Sequence, residues 1–285
     1  MASETTVVKA ELPALPLTIE GSAVLHQMFR VRWGAWQALT PEERQCILNE
    51  AAPVLGEMES GGGSAMFSML GHKADLMFVH FRDTFDEVNC AELRIANLRF
   101  NELLEPTASY VSMVELGLYE STVKLYRSFA ERGVAPHSEE WNKEIEELME
   151  RQRQAMRPRL YPKIPAMRYV CFYPMDRRRG EMKNWYVLPI EDRQRQMDEH
   201  GTVGRRYAGR VQQIISGSIG FDDWEWGVDL FSNEPVTFKK LIYEMRFDQV
   251  SAEYSNFGTF YLGMRVSVQN LGQLLSGTLP KAEQK

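Results

Sequence analysis

Cysteine is scarce in this sequence: Cys46, Cys90 and Cys171 lie far apart and form no CxxC pair. An odd, sparse count excludes a disulfide framework, offers no zinc site and suits a reducing compartment. No uncharged apolar run approaches the roughly 18 residues of a membrane span. The opening stretch, with Glu4, Glu11 and Pro13, lacks the basic start and apolar core of a signal peptide. A basic excess is missing as well. The formal net charge is −6, against the positive footprint that nucleic acid or an anionic membrane requires. Gly61–Gly63 reads as a loop without the following Lys-Ser/Thr of a phosphate-binding loop. These absences leave a cytoplasmic protein with a small-molecule partner, no nucleic acid and no membrane.

What is present is ordinary in bulk and repetitive in detail. The 285 residues are 44% hydrophobic and 25% charged, enough for about two domains at about 150 residues each. Leu39-Thr-Pro-Glu-Glu-Arg-Gln45 parallels Leu188-Pro-Ile-Glu-Asp-Arg-Gln194, 149 residues on, and Trp36 with Trp185 and Gly71 with Gly220 keep that offset. Each half reads strand, helix, strand, strand, helix, strand, the order of a ferredoxin-like unit. In the second half the spacing predicts strands over 168–175, 211–216, 224–230 and 257–268. It predicts helices over 189–200, ended by Gly201, and over 236–247. The fold expected is α+β: two tandem βαββαβ repeats whose sheets meet face to face in a dimeric α+β barrel. Residues 21–136 form the first repeat, 137–157 a charged linker helix and 158–271 the second repeat; 1–20 and 272–285 read as flexible tails.

Function in a duplicated fold is expected where the halves differ. His200 has Ala51 as its counterpart, and on the helix it shares a face with Ile190, Arg193 and Met197. Two readings stand: a metal ligand over a pocket, or an imidazole favoured by the dipole of a helix C-terminus. The other histidines show no pairing in sequence. Gln213 falls on the apolar side of its strand with Val211 and Ile215, so it is a satisfied core amide or it faces a cavity. Tyr173 shares a strand face with Tyr169, Cys171 and Met175, and Arg177–Arg179 follow. Guanidiniums beside a phenol suit a ligand with several carboxylates, unless they form a solvated loop.

Longer stretches carry a resemblance. Tyr173-Pro-Met-Asp-Arg177, Asn184-Trp-Tyr-Val-Leu-Pro189, Glu199-His-Gly201, Gly204-Arg-Arg-Tyr-Ala-Gly209, Ile215–Gly227 and Tyr243–Ala252 resemble the coproheme decarboxylases of the chlorite dismutase superfamily. The likeness spans essentially the whole chain and is densest over 159–265. It implies His200 as the iron ligand, Tyr173 as the catalytic tyrosine and Gln213 as the distal glutamine. It also implies carboxylate contacts at Arg159, Tyr173, Pro174, Met175, Asp176, Arg177 and Ser251, with Arg246 as an addition. Many members carry lysine where Arg177 stands, so a planar fork replaces a point charge. Gln213 in place of a distal arginine speaks against chlorite turnover. The implied activity is hydrogen-peroxide-dependent conversion of iron coproporphyrin III (coproheme) to haem b, two propionates becoming vinyls, with Tyr173 passing through a tyrosyl radical. The coproheme would be both substrate and redox centre, with no other cofactor. The resemblance further implies a homopentamer and transient contact with a ferrochelatase. The alternatives are a chlorite dismutase-like enzyme or generic haem peroxidase, and a haem carrier or sensor without turnover.

Overall fold

The computed structural model describes residues 15–280. The first repeat runs β1 (Thr18–Val31), α1 (Trp33–Ala38), α2 (Pro41–Glu59), β2 (Ser64–Met69), β3 (Leu76–Arg82), α3 (Phe85–Ala96) and β4 (Leu104–Gly117). Then α4 (Tyr119–Arg132) and α5 (Glu139–Leu160) lead into the second: β5 (Tyr169–Arg177), α6 (Ile190–Arg205), β6 (Gln212–Gly217) and β7 (Trp226–Ser232). It ends with α7 (Val236–Met245), α8 (Gln249–Tyr254), β8 (Ser255–Phe257), β9 (Tyr261–Val266) and α9 (Leu271–Leu275). Local chemistry sets the boundaries. Thr40 and Glu43 form a reciprocal capping box at the start of α2, and Thr84 caps α3.

All the strands belong to one sheet in the order β7-β6-β4-β1-β3-β2-β9-β5-β8, and β5 also pairs with β7. That extra pairing closes the sheet into a ring. The half-sheets of the two repeats face each other across the interior and join edge to edge at two seams. At one, Val114 opposes Ser216 on β4 and β6; at the other, Phe67 opposes Arg265 on β2 and β9. Closure removes the exposed edges that an open sheet would leave.

Strand alternation sorts side chains into three layers. Val24, Phe67, Val79, Tyr110, Val170, Phe172 and Phe231 fill the barrel. Outside the first repeat, Leu55, Ala51 and Ile95 of α2 and α3 pack on Met66 and Phe78. Outside the second, Val203, Phe238 and Leu241 of α6 and α7 pack on Cys171, Tyr173, Val228 and Leu230. Gly21 is glycine because a Cβ there would sit 2.1 Å from the Leu160 carbonyl oxygen, where α5 closes on β1.

Several expectations need correction. The helix over 189–200 does not stop at Gly201 but continues to Arg205. A helical glycine costs only about 1 kcal/mol, which the packing of Val203 in the outer layer offsets. The strand over 257–268 splits into β8 and β9 around a turn, and the short helix α8 precedes it unforeseen. The stretches read as tails are ordered in part. Ile19 is buried in β1, and Leu271, Leu274 and Leu275 of α9 are buried against the first repeat; residues 1–14 and 281–285 lie outside the described residues. His26 is not unpaired: deep in the barrel its Nε2 lies 2.9 Å from Oδ1 of Asp229. Among the described residues no helix is long and apolar enough to cross a membrane.

Candidate functional site

The outer layer of the second repeat gathers most of the residues singled out in the sequence. On β5, Cys171, Tyr173 and Met175 point outward while Phe172 points into the barrel. The register carries this face across the sheet: Cys171 opposes Leu230, and Leu230 opposes Gln213. Half-buried Gln213 therefore faces the same helical layer as Tyr173.

Over that face lies α6. Ile190 and Arg193 are buried, Met197 packs on Trp185, Val250 and Tyr254, and Val203 reaches the layer that holds Tyr173. His200 lies between Met197 and Val203 along this helix. Its side chain is 21% exposed, and its Nδ1 sits 2.8 Å from Oδ2 of Asp248. Ser251 Oγ lies 3.4 Å from the same nitrogen. With α6 running on to Arg205, His200 is not at a helix end, so the dipole reading loses its basis.

Asp248 escaped the sequence reading. It caps α8, its Oδ1 accepting from the Ser251 amide at 2.8 Å. Burial pushes its carboxyl pKa up, but hydrogen bonds from His200 and Ser251 bring it below the usual range. A carboxylate that accepts from Nδ1 fixes the imidazole tautomer and turns the Nε2 lone pair outward, the arrangement found at metal-binding histidines. The signal was available in outline: Asp248 stands three residues before Ser251, as a helix-capping side chain should.

Tyr173 is 4% exposed. Burial raises its pKa, against a smaller pull from Arg246 and Arg177, so the phenol stays protonated at neutral pH. Among the described residues its hydroxyl has no hydrogen-bond partner. Cys171, on the same face, is pushed up to about 12 by burial and stays a thiol.

Two guanidiniums border this group. Arg177 is 8% exposed, donates to Ser255 Oγ at 2.5 Å, and lies 5.0 Å from the Trp185 ring and 6.0 Å from the Trp226 ring. Arg246 stands 3.8 Å over the Phe257 ring. Among the described residues neither has a carboxylate within ion-pair distance. A buried cation held by rings and a hydroxyl retains unspent attraction for an anion. Asp176 is occupied, its Oδ1 accepting from the Glu225 amide at 2.7 Å, and Pro174 accepts from the Gly258 amide through its carbonyl at 2.9 Å. Arg159 is exposed in the last turn of α5, and no described contact joins it to the group.

These donors can be tested against an iron porphyrin. Among the described residues no three of His, Cys, Asp and Glu cluster to hold a bare metal ion. One oriented imidazole suits an iron whose equatorial ligands come from a macrocycle. Guanidiniums without carboxylates suit acidic side chains on that macrocycle. The residues fit.

The chlorite dismutase family matches residues 37–266. A coproheme decarboxylase of Staphylococcus saprophyticus is 39% identical, the match covering 93% of this chain and all of that protein. A protein of Haloquadratum walsbyi named for heme binding is 41% identical over 95% of this chain, which spans only 49% of that longer relative. Among solved structures, a heme-binding protein from Thermus thermophilus superposes with a TM-score of 0.79 at 38% identity, covering 94% of this chain and all of that one. Chlorite dismutase from Candidatus Nitrospira defluvii gives 0.66 at 18% identity, covering 90% of this chain and 96% of that one; this likeness is one of fold. With most of its length matched, the chain belongs to the chlorite dismutase family.

Proposed function

We propose that this protein converts iron coproporphyrin III to haem b with hydrogen peroxide, removing two propionate carboxyls as carbon dioxide. One observation carries the reading: the His200 imidazole on α6, oriented by Asp248, overlies a layer in which Tyr173 holds a protonated phenol with no partner among the described residues. His200 would hold the iron through Nε2, and the bound iron supplies the redox chemistry with peroxide. Arg177 and Arg246 would take propionates by paired hydrogen bonds, with Arg159 and Ser251 as further contacts and Gln213 orienting peroxide. Tyr173, once its phenol has given up an electron and its proton to the peroxide-driven oxidation, would take a hydrogen atom from the propionate chain and so regain its O–H. Each step consumes one peroxide and one proton, turns –CH2CH2–COO⁻ into a vinyl group, and releases carbon dioxide and two waters. The finer reading is of a cytoplasmic homo-oligomer, a pentamer by family likeness, that makes transient contact with a ferrochelatase.

The direct test adds iron coproporphyrin III and peroxide to purified protein and looks for haem b by mass. The wild type is expected to convert it; intact coproheme after excess peroxide overturns the reading. His200→Ala is expected to lose iron ligation, seen as a shifted Soret band, and an unchanged band would place the ligand elsewhere.

Asp248 makes a second expectation. Asp248→Ala removes the carboxylate partner of the imidazole, and the affinity for iron coproporphyrin III should fall about 10- to 100-fold. Part of any loss of stability comes from the missing helix cap, about 1 kcal/mol. Asp248→Asn keeps a cap oxygen and should restore stability ahead of affinity. Equal affinity in all three proteins, measured by spectral titration, would remove Asp248 from the site.

A further inference from the structure

Tyr173 raises a question that its assigned chemistry leaves open: what holds its oxygen in place? Two other buried tyrosines in the fold are fixed through their hydroxyls, while Tyr126 and Tyr254 are not so held among the described residues. Tyr207 donates to Glu244 Oε1 at 2.6 Å, and Tyr110 donates to the Trp224 carbonyl oxygen at 3.3 Å. The Tyr173 hydroxyl has no such partner among the described residues, so its position depends on ring packing.

The nearest ring is Phe260. Its centroid lies 4.5 Å from that of Tyr173, with the planes 25° apart. Phe257 stands 5.9 Å from Tyr173 and 6.4 Å from Phe260. The register explains the stack: Phe172 opposes Tyr261 on β5 and β9, so Phe260 reaches Tyr173 as a cross-strand neighbour just beyond the ladder.

Phe260 is itself pinned. In the turn before it, the Gly258 amide donates to the Pro174 carbonyl at 2.9 Å, and a Cβ on Gly258 would lie 2.8 Å from the Pro174 ring and 2.9 Å from the Trp224 ring. Lys73, in the β2–β3 loop of the first repeat, donates from Nζ to the Phe260 carbonyl at 2.6 Å. Nothing in this chain of contacts touches the hydroxyl.

We propose that Phe260 is a positioning residue for Tyr173, stacked so that the phenol oxygen stays aimed while its hydroxyl remains free for substrate, and that Lys73 of the first repeat steadies it. This rests on the proposed decarboxylation, in which the oxidised phenol oxygen must reach a propionate chain. Hydrogen transfer falls off steeply with misplacement; an error of about 1 Å can cost about 100-fold.

Phe260→Leu keeps apolar volume and removes the stacking plane. The rate constant for vinyl formation should drop at least tenfold, while the Kd for iron coproporphyrin III stays within twofold. Phe260→Trp should restore most of the rate. In a crystal structure of the leucine variant the Tyr173 oxygen should be displaced or spread over two positions. Lys73→Met, at an exposed site, should lower the rate two- to threefold with Kd unchanged, and it covers the case in which the Phe260 variants fold poorly. An unchanged rate in Phe260→Leu, or a rate loss matched by an equal rise in Kd, overturns the proposal. Absence of turnover in the wild type would instead sink the decarboxylation reading, and the crystallographic comparison would still decide whether Phe260 aims the ring.

Discussion

Tyr173→Phe is expected to bind iron coproporphyrin III with wild-type affinity and an unchanged Soret band, yet to yield less than about a thousandth of the wild-type haem b with peroxide. Affinity should survive because the ring, its stack on Phe260 and its burial are all kept. The lost hydroxyl has no partner among the described residues, so none of their donors or acceptors is stranded. Removing a hydroxyl that no described residue bonds is neutral or slightly stabilising, and Tm should stay within about 3 °C. Chemistry should not survive. Effective concentrations at well-aligned groups are worth about 7–11 kcal/mol of barrier, and every 1.36 kcal/mol is about tenfold in rate, so losing the aligned O–H leaves only background oxidation. The same variant separates the function classes. A carrier or sensor has no use for the hydroxyl and should behave identically in both forms. Mass spectrometry of the porphyrin after a fixed peroxide dose reads the difference, and conversion above a tenth of wild type would take Tyr173 out of the reaction.

Much of this site was legible because it follows local periodicity. The alternation of Tyr169, Cys171, Tyr173 and Met175 placed the phenol on the outer face, and helical spacing put His200 on the side of Ile190 and Arg193, both buried. Neither inference needed tertiary knowledge. What stayed hidden depends on long-range closure. Asp248 meets His200 across 48 residues, and nothing in either segment names the other. The end of α6 was misjudged because glycine is a helix stop only when packing does not outweigh it, and Val203 carries the helix onward. Helix α9 looked like a tail because a short run of leucines among polar residues has no strong period. Only the surface of the first repeat gives Leu271, Leu274 and Leu275 somewhere to go.

Asp229→Leu should cost more stability than Tyr173→Phe or Asp248→Ala in the outer layer. Asp229 is 1% exposed and His26 0%. The pair joins β1 of the first repeat to β7 of the second across 203 residues, through the inside of the closed sheet. His26 also stacks on Phe172, with centroids 4.0 Å apart and planes at 20°, and its Nδ1 has no hydrogen-bond partner among the described residues. Removing the carboxylate strands Nε2 as well, in a space walled by Phe172 and Tyr110, where water cannot fully compensate. Breaking such a buried pair costs about 3–5 kcal/mol. At about 2–4 °C per kcal/mol for a domain near this size, Tm should fall by roughly 6–20 °C. His26→Leu in the same background removes the stranded group, and the double variant should regain most of the loss. If the pair serves stability alone, the doubly apolar barrel equals or exceeds the wild type in Tm. If it also selects which strands meet at closure, the double variant keeps its Tm but refolds slowly or to mixed products. Calorimetry on the three variants gives the coupling energy. A single-variant loss below about 1 kcal/mol would mean that the interior holds enough water to satisfy His26 without Asp229.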